Sequence, residues 1–374
     1  MTKSFVHLHA HTEYSMLDGA AKIVDYLKKV KELNQPAAAI TDHGNLYGAM
    51  EFVQKANDLG IKPIIGYEAY ITPGSRFDRP DRENNKRYHL TLLAENNIGY
   101  QNLVELASKS YTEGYYYKPR IDYELLDQHH NGLIALSGCL GGELAQHLAP
   151  DGSVEEGNTS NERSFEKALE IAKKYQSIFG KENYFIEIHN HGIKQQLDIL
   201  DDLVEIAKLI DAPLVAANDS HYVEENGAEA HDALLCVQTN RTLDDESRFR
   251  FDGSGYYVKS SEEMRKLFPE DKYPGACDNT LAIADRVNYE FNFDKSYLPD
   301  FPIEDKNVSP EELLKIKVYE GGERKYGTLT SEIIERIDYE LDVINSMGFA
   351  SYFLIVGDLI EFSKKRNIRT GAGR

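Results

Sequence analysis

Histidine, acidic and cysteine side chains recur in this sequence at positions from which they could jointly hold metal ions. His9 and His11 lie in HLHAHT, Asp18 in SMLDG, His43 in TDHG, Glu68 in GYEAY and His89 in RYHL. Cys139 lies in SGC, and Asp219 with His221 in NDSH. Imidazole, carboxylate and thiolate are the side chains that bind divalent transition metals, and these positions exceed the roughly four to six ligands that one ion uses. The set therefore implies two or three ions. Ions about 3.5–4 Å apart can hold a bridging hydroxide for attack on phosphorus while stabilising the entering and leaving oxygens, so phosphate ester hydrolysis is the natural reaction. The Cys and His content favours zinc, and the same donors would accept manganese or iron.

Each member has an ordinary alternative when taken singly. Strand alternation would put His7, His9 and His11 on one face. A lone Cys139 suits a small buried hydrophobe, and Glu68 or His89 alone suits a structural polar group. The joint placement is what argues for a site, and it depends on the elements that carry these residues. Short apolar runs at 5–9, 37–41, 63–69, 89–93, 133–137, 184–189 and 214–217 read as strands. They alternate with segments of helical period at 23–33, 47–59, 100–111, 162–179 and 193–210. This alternation predicts repeated βα units closing into a barrel around a parallel sheet. Most of the candidate ligands close a run or follow one, and barrel enzymes build their sites at that face. His89 is the exception, because it opens its run.

Other candidates are weaker. Asp42 and His7 are expected to orient ligand imidazoles from behind. His189 and His191 read as structural, with His191 within reach of a substrate. His129, His130 and His147 read as surface or packing groups, and His231 as a helix packing or capping residue. Tyr115, Tyr116 and Tyr117 read as packing, with base stacking the alternative. The stretches 73–86, rich in arginine and asparagine, and 149–160, polar and glycine-containing, read as surface excursions. After residue 285 the pattern becomes irregular and then helical at 310–326 and 331–346, which places a domain boundary there: 1–285 and 286–374.

Composition bounds the reading. With 374 residues there is room for one large domain and part of another. No apolar run reaches the ~20 residues that span a bilayer, and the N-terminus lacks a secretory signal, so a cytoplasmic protein without membrane contact is expected. Three widely spaced cysteines suit a reducing compartment. The net charge of −20 argues against a protein that coats nucleic acid with its whole surface, but leaves room for a local groove.

These motifs resemble the polymerase and histidinol phosphatase (PHP) domain, in which HxHT, a following acid or His, TDH, a Glu, a His, a Cys or His and a final DxH ligate three metals. His9, His11, Asp18, His43, Glu68, His89, Cys139, Asp219 and His221 match that pattern. The wider context, including AAAITDHGNLYGAMEF, GIKPIIGYEAY, VAANDSHYV and TLDDESRFRF, looks like the PHP domain of bacterial replicative DNA polymerase III alpha subunits. The segment MGFASYFLIVGDLIEFSKKRNIRTGAGR is similar to the start of the polymerase palm. The resemblance implies a distorted seven-stranded (β/α)7 TIM-like barrel followed by a partial α+β palm segment. It implies a trinuclear site, zinc first, with manganese or iron possible, acting as a 3′–5′ proofreading exonuclease on a DNA primer end. Partners would be the rest of the polymerase, the clamp and a separate proofreading exonuclease. The family's palm aspartates fall after the GAGR stretch, so polymerisation by this segment alone is not expected. The basic residues Lys364, Lys365, Arg366, Arg369 and Arg374 fit either a DNA path or a solvated helix end. Two other functions stay open: a metal-stabilised docking domain without catalysis, and a small-molecule phosphatase of the histidinol-phosphate type.

Overall fold

The apolar runs form strands where β-branched and aliphatic side chains find neighbours on both faces, and helices where their period approaches 3.6. The computed structural model describes residues 3–81, 84–150, 162–291, 293 and 299–371. Arg374 and nearly all of the 149–160 excursion lie outside them. The chain divides into two units, Met1–Glu290 and Phe291–Arg374.

The first unit begins with α1 (Ile23–Glu32), β1 (Ala37–Ile40), α2 (Ala49–Leu59), β2 (Lys62–Ile71), β3 (Tyr88–Ala94) and α3 (Asn97–Thr112). There follow β4 (Arg120–Ile121), α4 (Tyr123–Gln128), β5 (Leu133–Leu136), α5 (Glu143–Leu148), α6 (Phe165–Phe179) and β6 (Tyr184–Ile188). It ends with α7 (Lys194–Ile210), β7 (Leu214–Ala216), α8 (Ala228–Thr239), α9 (Ser261–Leu267) and α10 (Asp278–Arg286). The strands pair in the order β1-β2-β3-β5-β6-β7, with β4 beside β2. Residues 5–11, expected to begin with a regular strand, supply the closing stave without strand pairing of that kind. Ala39 N donates to His7 O and Thr41 N to Ala10 O on one side, while His11 N donates to Ser220 O on the other. The result is a distorted, seven-staved TIM-like barrel.

One stave departs from the all-parallel expectation. β1–β2, β5–β6 and β6–β7 are parallel, but β3 runs antiparallel to both β2 and β5. Its start, not its end, therefore lies at the face where the other staves finish. That is why His89 opens its run.

The lower interior is filled by Val6, Leu8, Ala37, Ile64, Leu93, Ile134 and Val215, and Ile283 and Ala284 of α10, with Val287 just after it, join the same cluster and plug that end. Outside, Ile23, Tyr26, Leu27 and Val30 form one buried stripe of α1 at three- and four-residue spacing, packed with Phe52 and Ala56 of α2. Gly99 lets α3 approach the barrel: a Cβ there would come within 1.8 Å of the Gly132 carbonyl oxygen.

The second unit holds α11 (Pro310–Tyr326), α12 (Ser331–Ser346) and α13 (Ala350–Lys365), and no strand among its described residues. Ser309 and Glu312 form a capping box, with Pro310 in the first turn of α11. Leu314, Leu341, Ala350 and Leu354 make its small core. Among the described residues, no single helix is long and apolar enough to cross a membrane.

Because Ile134 is fully buried in the barrel interior, Ile134→Ala should cost about 2–5 kcal/mol of stability, transfer and cavity contributions together. Urea denaturation of the two proteins measures this, and a cost below ~1 kcal/mol would mean that the interior is not close-packed.

Candidate metal centre

The nine expected residues converge at one end of the barrel. His9 and His11 come from the closing stave. Asp18 comes from the turn after it, where Leu17 adopts φ 64° and Asp18 N donates to Ser15 O. His43 follows β1, Glu68 sits in β2, His89 opens β3, and Cys139 follows β5 beside Gly138 at φ 91°. Asp219, itself at φ 47°, and His221 follow β7.

Glu68 lies at the middle and is 1% exposed. Its Oε1 is 3.3 Å from His9 Nε2, 3.0 Å from His89 Nδ1 and 3.6 Å from Cys139 Sγ. Its Oε2 is 2.6 Å from His43 Nδ1 and 3.5 Å from His11 Nε2. Asp219 Oδ1 lies 3.1 Å from His11 Nε2 and 3.4 Å from His9 Nε2. Asp18 Oδ2 lies 2.7 Å from His43 Nε2 and 3.6 Å from His221 Nε2.

The neighbouring groups fix which imidazole nitrogen faces this centre. His9 Nδ1 is 2.7 Å from Glu187 Oε1, and His221 Nδ1 is 2.8 Å from the Asp219 carbonyl. His11 Nδ1 is 2.9 Å from Ser15 Oγ, whose own hydrogen goes to Asp42 Oδ1 at 2.7 Å. These acceptors hold the Nδ1 hydrogens, so each ring presents Nε2 to the centre. Yet His9 Nε2, His11 Nε2, His43 Nδ1, Glu68 Oε2, Asp219 Oδ1 and His221 Nε2 are all buried without a hydrogen-bond partner. Buried polar atoms are normally satisfied, and six orphans aimed into one space fit a set of cations. Ligand atoms of His9, His11 and Asp219 lie close enough to share one ion, as do those of His43, Glu68 and His89, and of His11, His43 and His221.

The electrostatics are those of a cation site. Burial acts to raise the acids, but His89, His43 and His9 hold Glu68 well below the usual carboxylate range. His9 and His221 outweigh burial at Asp219, and His221 and His43 do so at Asp18. For His43, burial is outweighed by Glu68 and Asp18, which push it up to about 9. His11 goes the other way, to about 3, because burial is reinforced by His43 and His221. Burial, Glu68 and Asp219 push the Cys139 thiol up to about 12, so a thiolate there requires a cation as neighbour.

The structure revises several expectations. His7 does not face the centre: its Nε2 is 2.8 Å from the Lys259 carbonyl and its ring packs edge-on against Phe5. Alternation breaks between Leu8, which packs in the barrel interior, and His9, which also points inward, while Ala10 joins the outer layer. Asp42 does orient His11, through Ser15. His191 has both nitrogens engaged, by the Asn218 carbonyl and Gln196, and stacks on Tyr256 at 3.9 Å. Sequence reading missed Glu187, which also accepts from Gly138 N at 2.9 Å and lies 2.9 Å from His189 Nε2. The available signal was a lone acid inside the apolar run YFIEI.

A metal-binding barrel of this kind is a PHP domain, and residues 7–191 match that family. Residues 312–374 match the bacterial DNA polymerase III alpha NTPase domain. The DNA polymerase III subunit alpha of Treponema pallidum is 44% identical over 99% of this chain and 31% of its own length. That of Mycobacterium tuberculosis is 45% identical over 99% of this chain and 32% of its own length. The chain belongs to the family of bacterial DNA polymerase III alpha subunits, and it spans about a third of the length of these curated relatives. Among solved structures, a two-domain protein from Bacteroides vulgatus containing a predicted PHP-like metal-dependent phosphoesterase is similar at a TM-score of 0.32 and 12% identity, over 76% of this chain and 69% of that one.

Elemental analysis should separate the two histidines that sequence alternation put together: His9→Ala loses bound metal, whereas His7→Ala keeps it and lowers only stability. Equal metal loss in both would contradict the geometry. The pH dependence follows from His43. With its folded pKa near 9 against 6.5, its contribution to metal-free stability is full below pH 6.5 and disappears as pH rises through 9. Ligation requires the neutral ring. Calorimetric Zn²⁺ titrations at pH 7.5 in buffers of different ionisation enthalpy should therefore register proton release, and buffer-independent heats would refute it.

Proposed function

We propose that His9, His11, Asp18, His43, Glu68, His89, Cys139, Asp219 and His221 hold three divalent ions, zinc first and manganese or iron as alternatives. On this reading the domain hydrolyses DNA phosphodiesters as a 3′–5′ proofreading exonuclease within a DNA polymerase III alpha subunit. The observation that carries the proposal is the convergence of six unpartnered, buried ligand atoms. Bound there, such ions supply Lewis acidity toward a phosphoryl oxygen and a nucleophile at neutral pH.

The protein's own residues do the rest. His9 and His11 have fully buried side chains, whereas Asp18 and His43 retain 13% and 16% exposure, so a phosphodiester approaches across the Asp18–His43 side. Tyr70 backs that side, its ring 6.0 Å from His43 and 5.2 Å from His89. Lys118 Nζ, 3.2 Å from the Tyr70 hydroxyl, brings a positive charge to the same edge, where a non-bridging phosphate oxygen would sit. Rigid placement by Glu187, Ser15 and Asp42 holds the imidazoles ready without rearrangement.

The test is release of mononucleotides from a mismatched primer 3′ end by purified protein supplied with Zn²⁺ or Mn²⁺. Asp219→Asn should reduce the rate by about a hundredfold or more, since loss of an outer partner alone costs tenfold to a hundredfold in such sites. Activity indifferent to Asp219→Asn would sink the assignment. Chelator-sensitive melting without cleavage under any metal would point instead to a docking domain that uses metal for stability.

A further inference from the structure

Beside the metal centre lies a set of rings that the barrel core does not use. Tyr47, Tyr115 and Tyr117 are 53–63% exposed and Tyr111 39%. The Tyr111 and Tyr115 rings are stacked, 6.1 Å apart at 21°, and Tyr47 lies 6.5 Å from Tyr111. Tyr117 holds φ 62°, a conformation that a bulky residue rarely adopts outside functional or strained positions.

Topology brings these residues to the mouth. Tyr47 stands between His43 and α2. Because β3 is reversed, α3 starts at the far end of the barrel and returns, so Tyr111 in its last turn reaches the metal-centre face. Tyr115 to Tyr117 then lead into β4, where Arg120 pairs with Tyr70. The rim is thus continuous with the centre through Lys118, whose Nζ sits 5.0 Å over the Tyr70 ring.

Positive charge reaches the rim from Lys118 and Arg79, in a chain of net charge −20. Arg79 and Arg120 lie over the Tyr116 ring at 5.6 and 5.2 Å. Arg120 is fully buried and donates to the Gly114, Arg76 and Asp78 carbonyls and to Asn85 Oδ1, so it fixes the segment behind the rim, and the cations that would meet a phosphate are Lys118 and Arg79. Exposed aromatic faces interleaved with cations are the arrangement that seats unpaired bases while attracting the phosphate backbone.

We propose that Tyr47, Tyr111, Tyr115 and Tyr117 form a stacking track for single-stranded DNA, along which the 3′ end passes Lys118 into the metal centre. The proposal rests on the phosphodiesterase reading for its direction of travel, but the track is tested by binding alone. Anisotropy of a fluorescein-labelled 15-nucleotide oligo-dT, measured on the whole chain with no added metal, gives the affinity. Tyr47→Ala/Tyr115→Ala should weaken it about tenfold or more, and Tyr47→Phe/Tyr115→Phe should bind like the parent, because stacking needs the ring and not the hydroxyl. Hydrolysis of bis(p-nitrophenyl) phosphate with Mn²⁺, a substrate too small to reach the track, should be unchanged in both variants. Equal affinity of the alanine variant and the parent, no binding by the parent, or a phenylalanine variant as weak as the alanine one would each overturn the track. Failure of the phosphodiesterase reading registers separately, as no hydrolysis by any variant while the binding difference persists.

Discussion

A carboxylate withdrawn from water amid four imidazoles is the constraint to which the rest of the barrel answers. An isolated buried charge is too costly to keep, so Glu68 persists only because His9, His11, His43 and His89 surround it within 3.5 Å. Those histidines come from three separate staves, two of which must end, and the reversed β3 begin, at one height and in one register. The α10 plug at the opposite end and the tight α3 contact at Gly99 keep the staves from sliding. Local strain serves the same end. Asp219 holds a left-handed conformation worth roughly 1–3 kcal/mol of strain, and its neighbour Asn218 offsets it by bonding to Gly255, Tyr257 and Lys259.

Much of this was legible in the amino-acid sequence because ligand chemistry and barrel periodicity reinforce each other. HLHAHT, TDHG and NDSH place unusual residue types at the ends of apolar runs, and seven such runs correspond to the seven staves. Strand direction was not legible: an apolar run has the same period read either way, and only the position of His89 at the head of its run hinted at the reversal. The switch of face between Leu8 and His9 was hidden for a related reason. Histidines at every second position look like one face, and nothing in the side chains marks where the backbone loses its alternation.

Glu187 was invisible on different grounds. Its role depends on three partners, His9, His189 and Gly138, that come from other staves or the end of its own. Such convergence is a property of the closed barrel and not of any local pattern. β4, two residues long, is likewise defined only by its partner strand. The helices of the second unit were easier, since the SPEE start of α11 is a local capping signal.

The reversal of β3 has a consequence for how this barrel can vary. In an all-parallel barrel each connection crosses from one end to the other, and lengthening it must respect a helix packed on the way. Here the link from β2 to β3, residues 72–87, leaves and re-enters at the same end, like the tip of a hairpin. Extra length there costs little, about 0.6 kcal/mol for each doubling of a flexible loop. Insertions can therefore accumulate in this connection, at the metal-centre end, without re-threading a stave, so the approach to the histidine cluster can be resized while the cluster stays in place.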